Sequence, residues 1–380
     1  MSLFNVYPLF DITPVRAKDL SVFDDKGIEY LDLYGGHAVI SIGHSHPEYV
    51  SAISNQVNNL GFYSNAIQNP LQESLAKELG RISKCQDYQL FLCNSGAEAN
   101  ENALKLASFH TGKKNVLAFK NSFHGRTSAA VAATDDPKIV APLNAQHHVD
   151  FVALGDLQAV ENILKKEETC AVIIECIQGV GGLDESSETF HQGLEKLCRT
   201  YNAMLIADEV QSGFGRTGDF FAFQKYGWTP DIISMAKGMG NGFPIGGILI
   251  HPVIKASFGL LGTTFGGNHL ACAASLAVLK VLESENLMEN AEEMSAYFIQ
   301  KAHNLPHLKS IKGRGLMLGL EFDFAVAELR KKLIHTHKIF TGSAKNPNLI
   351  RILPPLTIQK EHIDVFFEAL KQELVMMNGA

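Results

Sequence analysis

The feature that most restricts the fold is a string of six short apolar runs between residues 88 and 236. They are YQLFLC (88–93), NVLAF (115–119), DFVAL (150–154), AVIIEC (171–176), AMLIAD (203–208) and DIISMA (231–236). Each is too short for a buried helix and rich in branched or aromatic residues, so each reads as a buried β-strand. Between them lie AEANENALKLASFH (97–110), LQAVENILKKEE (157–168) and ETFHQGLEKLCRTY (188–201), whose apolar residues recur with the period of a helix. Strand, helix, strand in repetition makes crossovers, and crossovers make a mostly parallel sheet covered by helices on both faces. The expected class is α/β.

After residue 268 the pattern changes. Helical stretches are expected at 269–284 and 289–304, then a hairpin over SIKGRGLMLGLEFD, a helix near 325–337, a strand near 348–353 and a final helix. This reads as a smaller α+β domain. With 380 residues, two domains fit the usual domain size. The expected division is an N-terminal segment (1–45) that packs with the small domain, a large domain (46–268) and a small domain (269–380).

Charge and composition remove several classes of function. Thirty-three basic and forty acidic side chains leave a net charge of −7, the wrong sign for holding a phosphate backbone, so no nucleic-acid partner is expected. No window approaches the length of apolar chain needed to span a bilayer, and no basic region followed by an apolar stretch opens the chain. Six cysteines are scattered without a CxxC pair, which points to a reducing, cytoplasmic setting and to no thiolate metal site. No metal is expected.

Parallel sheets bind their ligands at the carboxyl ends of the strands, and the unusual residues fall there. After the first run comes Asn94-Ser95-Gly96-Ala97-Glu98, in which Ser95 and Glu98 have capping-box spacing. It reads either as an ordinary capped helix or as a helix start whose free N–H groups hold a phosphate. Asp208 closes AMLIAD, as a loop carboxylate or as the partner of a buried cation such as a protonated ring nitrogen. Lys237 follows DIISMA among glycines, 29 residues after Asp208, as a solvated loop lysine or as an amine activated by burial. An anion-binding helix start, a buried carboxylate and a nucleophilic lysine, each after a strand, together meet the needs of pyridoxal phosphate.

The strings NSGAEANENALKLA, FHGRT, DEVQSGFGRTG, AKGMGNGFPIGG and TTFGGNHLACAA resemble the signature segments of the class-III pyridoxal-phosphate aminotransferases. The likeness runs from GGHAVISIGHSHP to RILPPL and is nearest to the acetylornithine and succinylornithine aminotransferase group. It implies the aspartate-aminotransferase-like architecture (fold type I), with Lys237 carrying the cofactor aldehyde and Asp208 paired with the ring nitrogen. It further implies Gln211 near the ring hydroxyl, Phe123 and Val210 on the two ring faces, and the phosphate on the N–H groups of Gly96 and Ala97 with help from Ser95. Thr264 corresponds to a residue that reaches the phosphate of a neighbouring subunit, which implies a homodimer with shared active sites. Arg126 and Arg351 correspond to the arginines that hold the distal and the α-carboxylate, respectively.

The activity implied is transfer of the terminal amino group of an N-acylornithine to 2-oxoglutarate, giving the N-acylglutamate semialdehyde and glutamate, as in arginine biosynthesis. Ornithine, 4-aminobutyrate or diamine transamination is the alternative on the same scaffold, because the shared strings encode cofactor chemistry more than donor choice. Four positions depart from the family pattern. Val180 stands where many relatives carry a glutamate that masks the α-carboxylate arginine, Cys176 replaces a proline, and His37 and Ile40 stand where apolar and small polar residues are usual. His37 is expected to line the donor pocket or to serve as a structural histidine.

Overall fold

The computed structural model describes residues 1–378. All six apolar runs form strands of one seven-stranded sheet, in the order Gln89–Cys93, Gly246–Ile250, Ile232–Met235, Met204–Asp208, Thr169–Ile174, Asn115–Phe119, Val149–Val152. Those six strands are mutually parallel; Gly246–Ile250 runs antiparallel to both its neighbours. That seventh strand is absent from the sequence reading because it opens on glycines inside a string that reads as loop. The glycines have a packing reason: a Cβ on Gly246 would lie 2.6 Å from the Ser95 carbonyl oxygen, and one on Gly247 2.8 Å from that of Phe91.

Alternation along each strand feeds two separate cores. Ala118, Ala171, Ile173, Ile206, Ile232 and Ile248 face the helix Gly96–Thr111, which contributes Ala99, Ala103, Leu104 and Ala107. Leu117, Val172, Ile174, Leu205 and Ile233 face the other way, toward the helices Leu157–Leu164 and Glu188–Tyr201. Burial on both faces explains why the strands read as unbroken apolar runs instead of alternating ones.

The remaining chain builds two four-stranded sheets. Pro14–Lys18, Ser21–Asp24 and Glu29–Asp32 form an antiparallel meander to which Ile339–Phe340 adds in parallel, tying the beginning of the chain to its last quarter. Leu308–Arg314 and Met317–Phe322 are the expected hairpin, extended by Leu349–Ile352 and Gly342–Ser343. The helices His269–Ser284, Leu287–Ala302, Ala327–His335 and Lys360–Asn378 fall where the periodicity places them. His269–Ser284 packs against Pro47–Asn59 and Pro70–Ser83. Among the described residues, no helix is long and apolar enough to cross a membrane.

The Gly246 contact predicts that Gly246→Ala lowers stability by about 1–3 kcal/mol, the usual cost of forcing a methyl into a packed interior. The check is a thermal melt of both proteins; an unchanged midpoint would contradict the packing argument.

Candidate active site

The carboxyl ends of the parallel strands surround a cavity of about 270 Å³. Asp208, on the last residue of its strand, is almost wholly buried. Its Oδ2 accepts from Asn100 Nδ2 at 2.7 Å and lies 2.7 Å from His124 Nδ1, while Oδ1 accepts from the Val210 N–H at 3.0 Å. Three polar partners thus meet one buried carboxyl group.

Lys237 follows the strand Ile232–Met235 and lines the same cavity. Its backbone is left-handed (φ 48°), uncommon for a residue with a side chain. Burial pushes its ammonium pKa down to about 8, against the opposing pull of Asp208 and Glu175, and the charge of Arg351 lowers it further. The helix Gly96–Thr111 begins at the cavity wall. Ser95 Oγ accepts from Glu98 N at 3.2 Å, but Glu98 returns its carboxylate to Asn94 N at 2.6 Å, one residue earlier than a capping box requires. The first-turn N–H groups of Gly96 and Ala97 have no acceptor within the helix and are available to an anion.

Gly96, Ala97, Phe123, Arg126, Asp208, Val210, Gln211 and Lys237 line this one cavity, with Ser95 at its edge as the helix cap. Arg126 lies exposed at the rim. Arg351, 3% exposed, is held behind Gln211, with Nη1 3.4 Å from Gln211 Oε1. His37 is exposed and joins the site through its carbonyl, which accepts from Gln211 Nε2 at 3.2 Å. Thr264 is not brought to the cavity; it is exposed on the loop beside the strand Gln89–Cys93.

A family model described as aminotransferase class-III matches residues 5–374. The chain belongs to the class-III aminotransferases. Its relatives include acetylornithine aminotransferases of Bacillus subtilis (39% identical, covering 98% of this chain and 97% of that protein) and Aquifex aeolicus (40%, covering 98% and 99%). Among solved structures, an ornithine aminotransferase from Toxoplasma gondii, with PLP partially occupying its active site, superposes with a TM-score of 0.90. It is 27% identical, over 98% of this chain and 92% of that one. An S-selective transaminase from Arthrobacter, at 22% identity and a TM-score of 0.91, shares the fold.

Three residues of this aminotransferase site escape the sequence reading. His124 and Asn100 are the partners of Asp208, and the His124 Nε2 and Asn100 Oδ1 atoms are buried without a partner. Glu175 also lines the cavity, accepting from Phe123 N at 2.9 Å and Gly179 N at 3.0 Å. Burial pushes its carboxyl pKa up to about 7. Glu175 carries the signal that singled out Asp208, since it too closes a buried apolar run. Of the other departures, Cys176 is buried, and the Ile40 carbonyl accepts from Arg216 Nη2 at 3.2 Å.

The depressed Lys237 pKa has a direct consequence. Its amine sheds the proton as pH rises through about 8, so its reactivity toward an acylating reagent in the cofactor-free protein should climb through that range. Competitive labelling read by mass spectrometry measures this; a midpoint near that of an ordinary lysine would contradict it.

Proposed function

We propose that this enzyme transfers the terminal amino group of an N-acylornithine to 2-oxoglutarate, with pyridoxal phosphate as cofactor. The observation that carries the reading is the near-full-length likeness to acetylornithine aminotransferases, joined to a cavity where Lys237 and Asp208 meet. The residues fit the cofactor. The open N–H groups of Gly96 and Ala97, with Ser95, suit its phosphate, Phe123 and Val210 suit the faces of a flat ring, and Asp208 suits its protonated nitrogen.

When bound, the cofactor supplies an aldehyde that captures amines and a ring that withdraws electrons from the neighbouring carbon. Asp208, oriented by Asn100, His124 and the Val210 N–H, would hold the proton on the ring nitrogen. Gln211 reaches toward the ring hydroxyl. Lys237, with its pKa near 8, anchors the cofactor and then serves as the base that takes a proton from the donor carbon. Arg126 grips the donor carboxylate at the rim and thereby points the far amine inward. Arg351 takes the α-carboxylate of 2-oxoglutarate or glutamate, and His37 borders the donor pocket.

An acylated donor suits the lining. The two carboxylates in the cavity, Asp208 and Glu175, are already engaged by protein donors. A second ammonium, as in free ornithine, would find Asp208 committed to the ring nitrogen and Glu175 to the Phe123 and Gly179 N–H groups. The likeness to ornithine aminotransferase structures favours free ornithine as the second reading. Thr264, outside its own cavity, is assigned to the active site of a second copy in a homodimer. Exposed Phe62, Tyr63, Ile67 and Phe265 on that flank are suited to burial by that copy. A reducing, cytoplasmic setting suits six unpaired, buried cysteines.

The test follows the visible absorbance of the cofactor-loaded enzyme as N-acetylornithine, N-succinylornithine, ornithine and 4-aminobutyrate are added separately. Bleaching by one acylated ornithine, reversed by 2-oxoglutarate, is expected; bleaching only by ornithine or 4-aminobutyrate would assign the enzyme to the neighbouring specificity. Val180→Glu, which places a carboxylate at the cavity wall, should raise KM for 2-oxoglutarate more than KM for the donor. Equal changes in steady-state kinetics would sink the idea that Arg351 is less masked here.

A further inference from the structure

The buried guanidinium of Arg351 meets only neutral acceptors. Nη1 donates to the Gly179 carbonyl at 2.8 Å and to Gln211 Oε1 at 3.4 Å, Nε to the Ser343 carbonyl at 2.5 Å, and Nη2 to Tyr34 Oη at 3.3 Å. Among the described residues, no carboxylate forms an ion pair with it. Glu175 acts on it only from a distance, and a buried cation without a direct ion pair is costly, so the site is suited to completion by an anion from outside.

Two of those acceptors are main-chain carbonyls, and Gln211 is tethered through its other amide atom to the His37 carbonyl. Tyr34 is the remaining side chain and the acceptor of Nη2. It is seated by several independent devices. Asp32 Oδ1 accepts from Tyr34 N at 2.9 Å and from Gly35 N at 2.8 Å, fixing the start of the turn. The Tyr34 ring lies over Gly342, the ladder partner of Arg351, where a Cβ would come within 2.4 Å of the ring. The Tyr34 hydroxyl also contacts His37 Nδ1. A phenol that accepts from Nη2 has its own proton to place, and this imidazole nitrogen is the acceptor in reach.

His37 reaches that position because Gly35, Gly36, His37 and Ala38 are left-handed in succession, with φ of 54°, 54°, 71° and 63°. Two residues with side chains in that region cost about 1–2 kcal/mol each. Strain held in place by surrounding contacts is a mark of a functional segment.

We propose that the Tyr34 hydroxyl is a neutral gate on Arg351. With the site empty it accepts from one of the two Nη2 N–H groups; it yields that group to the carboxylate of 2-oxoglutarate or glutamate, which then meets both, while keeping its bond to His37. The inference rests on the reading of Arg351 as the carboxylate site. A hydroxyl neutralises no charge, so the guanidinium keeps its attraction for a dicarboxylate, and displacement requires the loss of one hydrogen bond only.

Glutarate, which has neither amine nor carbonyl to react, isolates this step. Calorimetric titration of the cofactor-loaded enzyme with glutarate should show Tyr34→Phe binding it roughly three- to tenfold more tightly than the unmodified enzyme, the effect of removing one competing neutral hydrogen bond. Arg351→Ala should abolish the binding. Unchanged or weaker binding by Tyr34→Phe would overturn the gate, the second because it would make the hydroxyl a donor to the carboxylate. Failure of N-acylornithine transfer alongside tighter glutarate binding would overturn the functional reading and leave the gate standing.

Discussion

The structure turns on satisfying the Asp208 carboxyl group inside the protein. A polar group at that depth is costly unless partners meet it. Asn100 from the first long helix, His124 from the next loop and the Val210 N–H from its own loop converge on it. The parallel sheet brings these segments to one edge, since every parallel strand delivers its following loop to the same side. Glu175 reinforces the arrangement by gathering the Phe123 and Gly179 N–H groups, linking the cavity wall at Phe123 to the carbonyl that holds Arg351.

Around that carboxyl group the site carries basic side chains of two kinds. Lys237 is near enough to Asp208 and Glu175 to feel both, yet burial prevails and leaves an amine that loses its proton close to neutrality. Arg351 also feels Glu175 but makes no direct ion pair, and rests on carbonyls, an amide and a phenol. The difference lies in the neighbours each strand end supplies, because both are buried basic side chains.

Much of the fold is legible in the sequence, because burial on two faces writes each parallel strand as an apolar run and each covering helix as a 3.6-residue pattern. The strand Gly246–Ile250 is not, since its leading glycines answer to the Ser95 and Phe91 backbones, neither of which is near in sequence. Lys237 and Asp208 are legible as strand-end oddities in apolar text. Asn100 is not: it sits mid-helix, 108 positions from the carboxylate it serves, and nothing local marks it. Tyr34 is hidden in the same way, its partner Arg351 being 317 positions away.

By itself, then, the sequence determined the strand and helix order and the lysine and carboxylate at strand ends, because periodicity and strand ends are local properties of the chain, and its signature strings marked the family. Only the tertiary structure decided which groups meet Asp208, that Arg351 is buried without a direct ion pair, and that a strained left-handed turn sets Tyr34 and His37 against it. Those outcomes depend on hydrogen bonds and close approaches between segments hundreds of residues apart, and the free energy of a buried charge is set by what surrounds it in space.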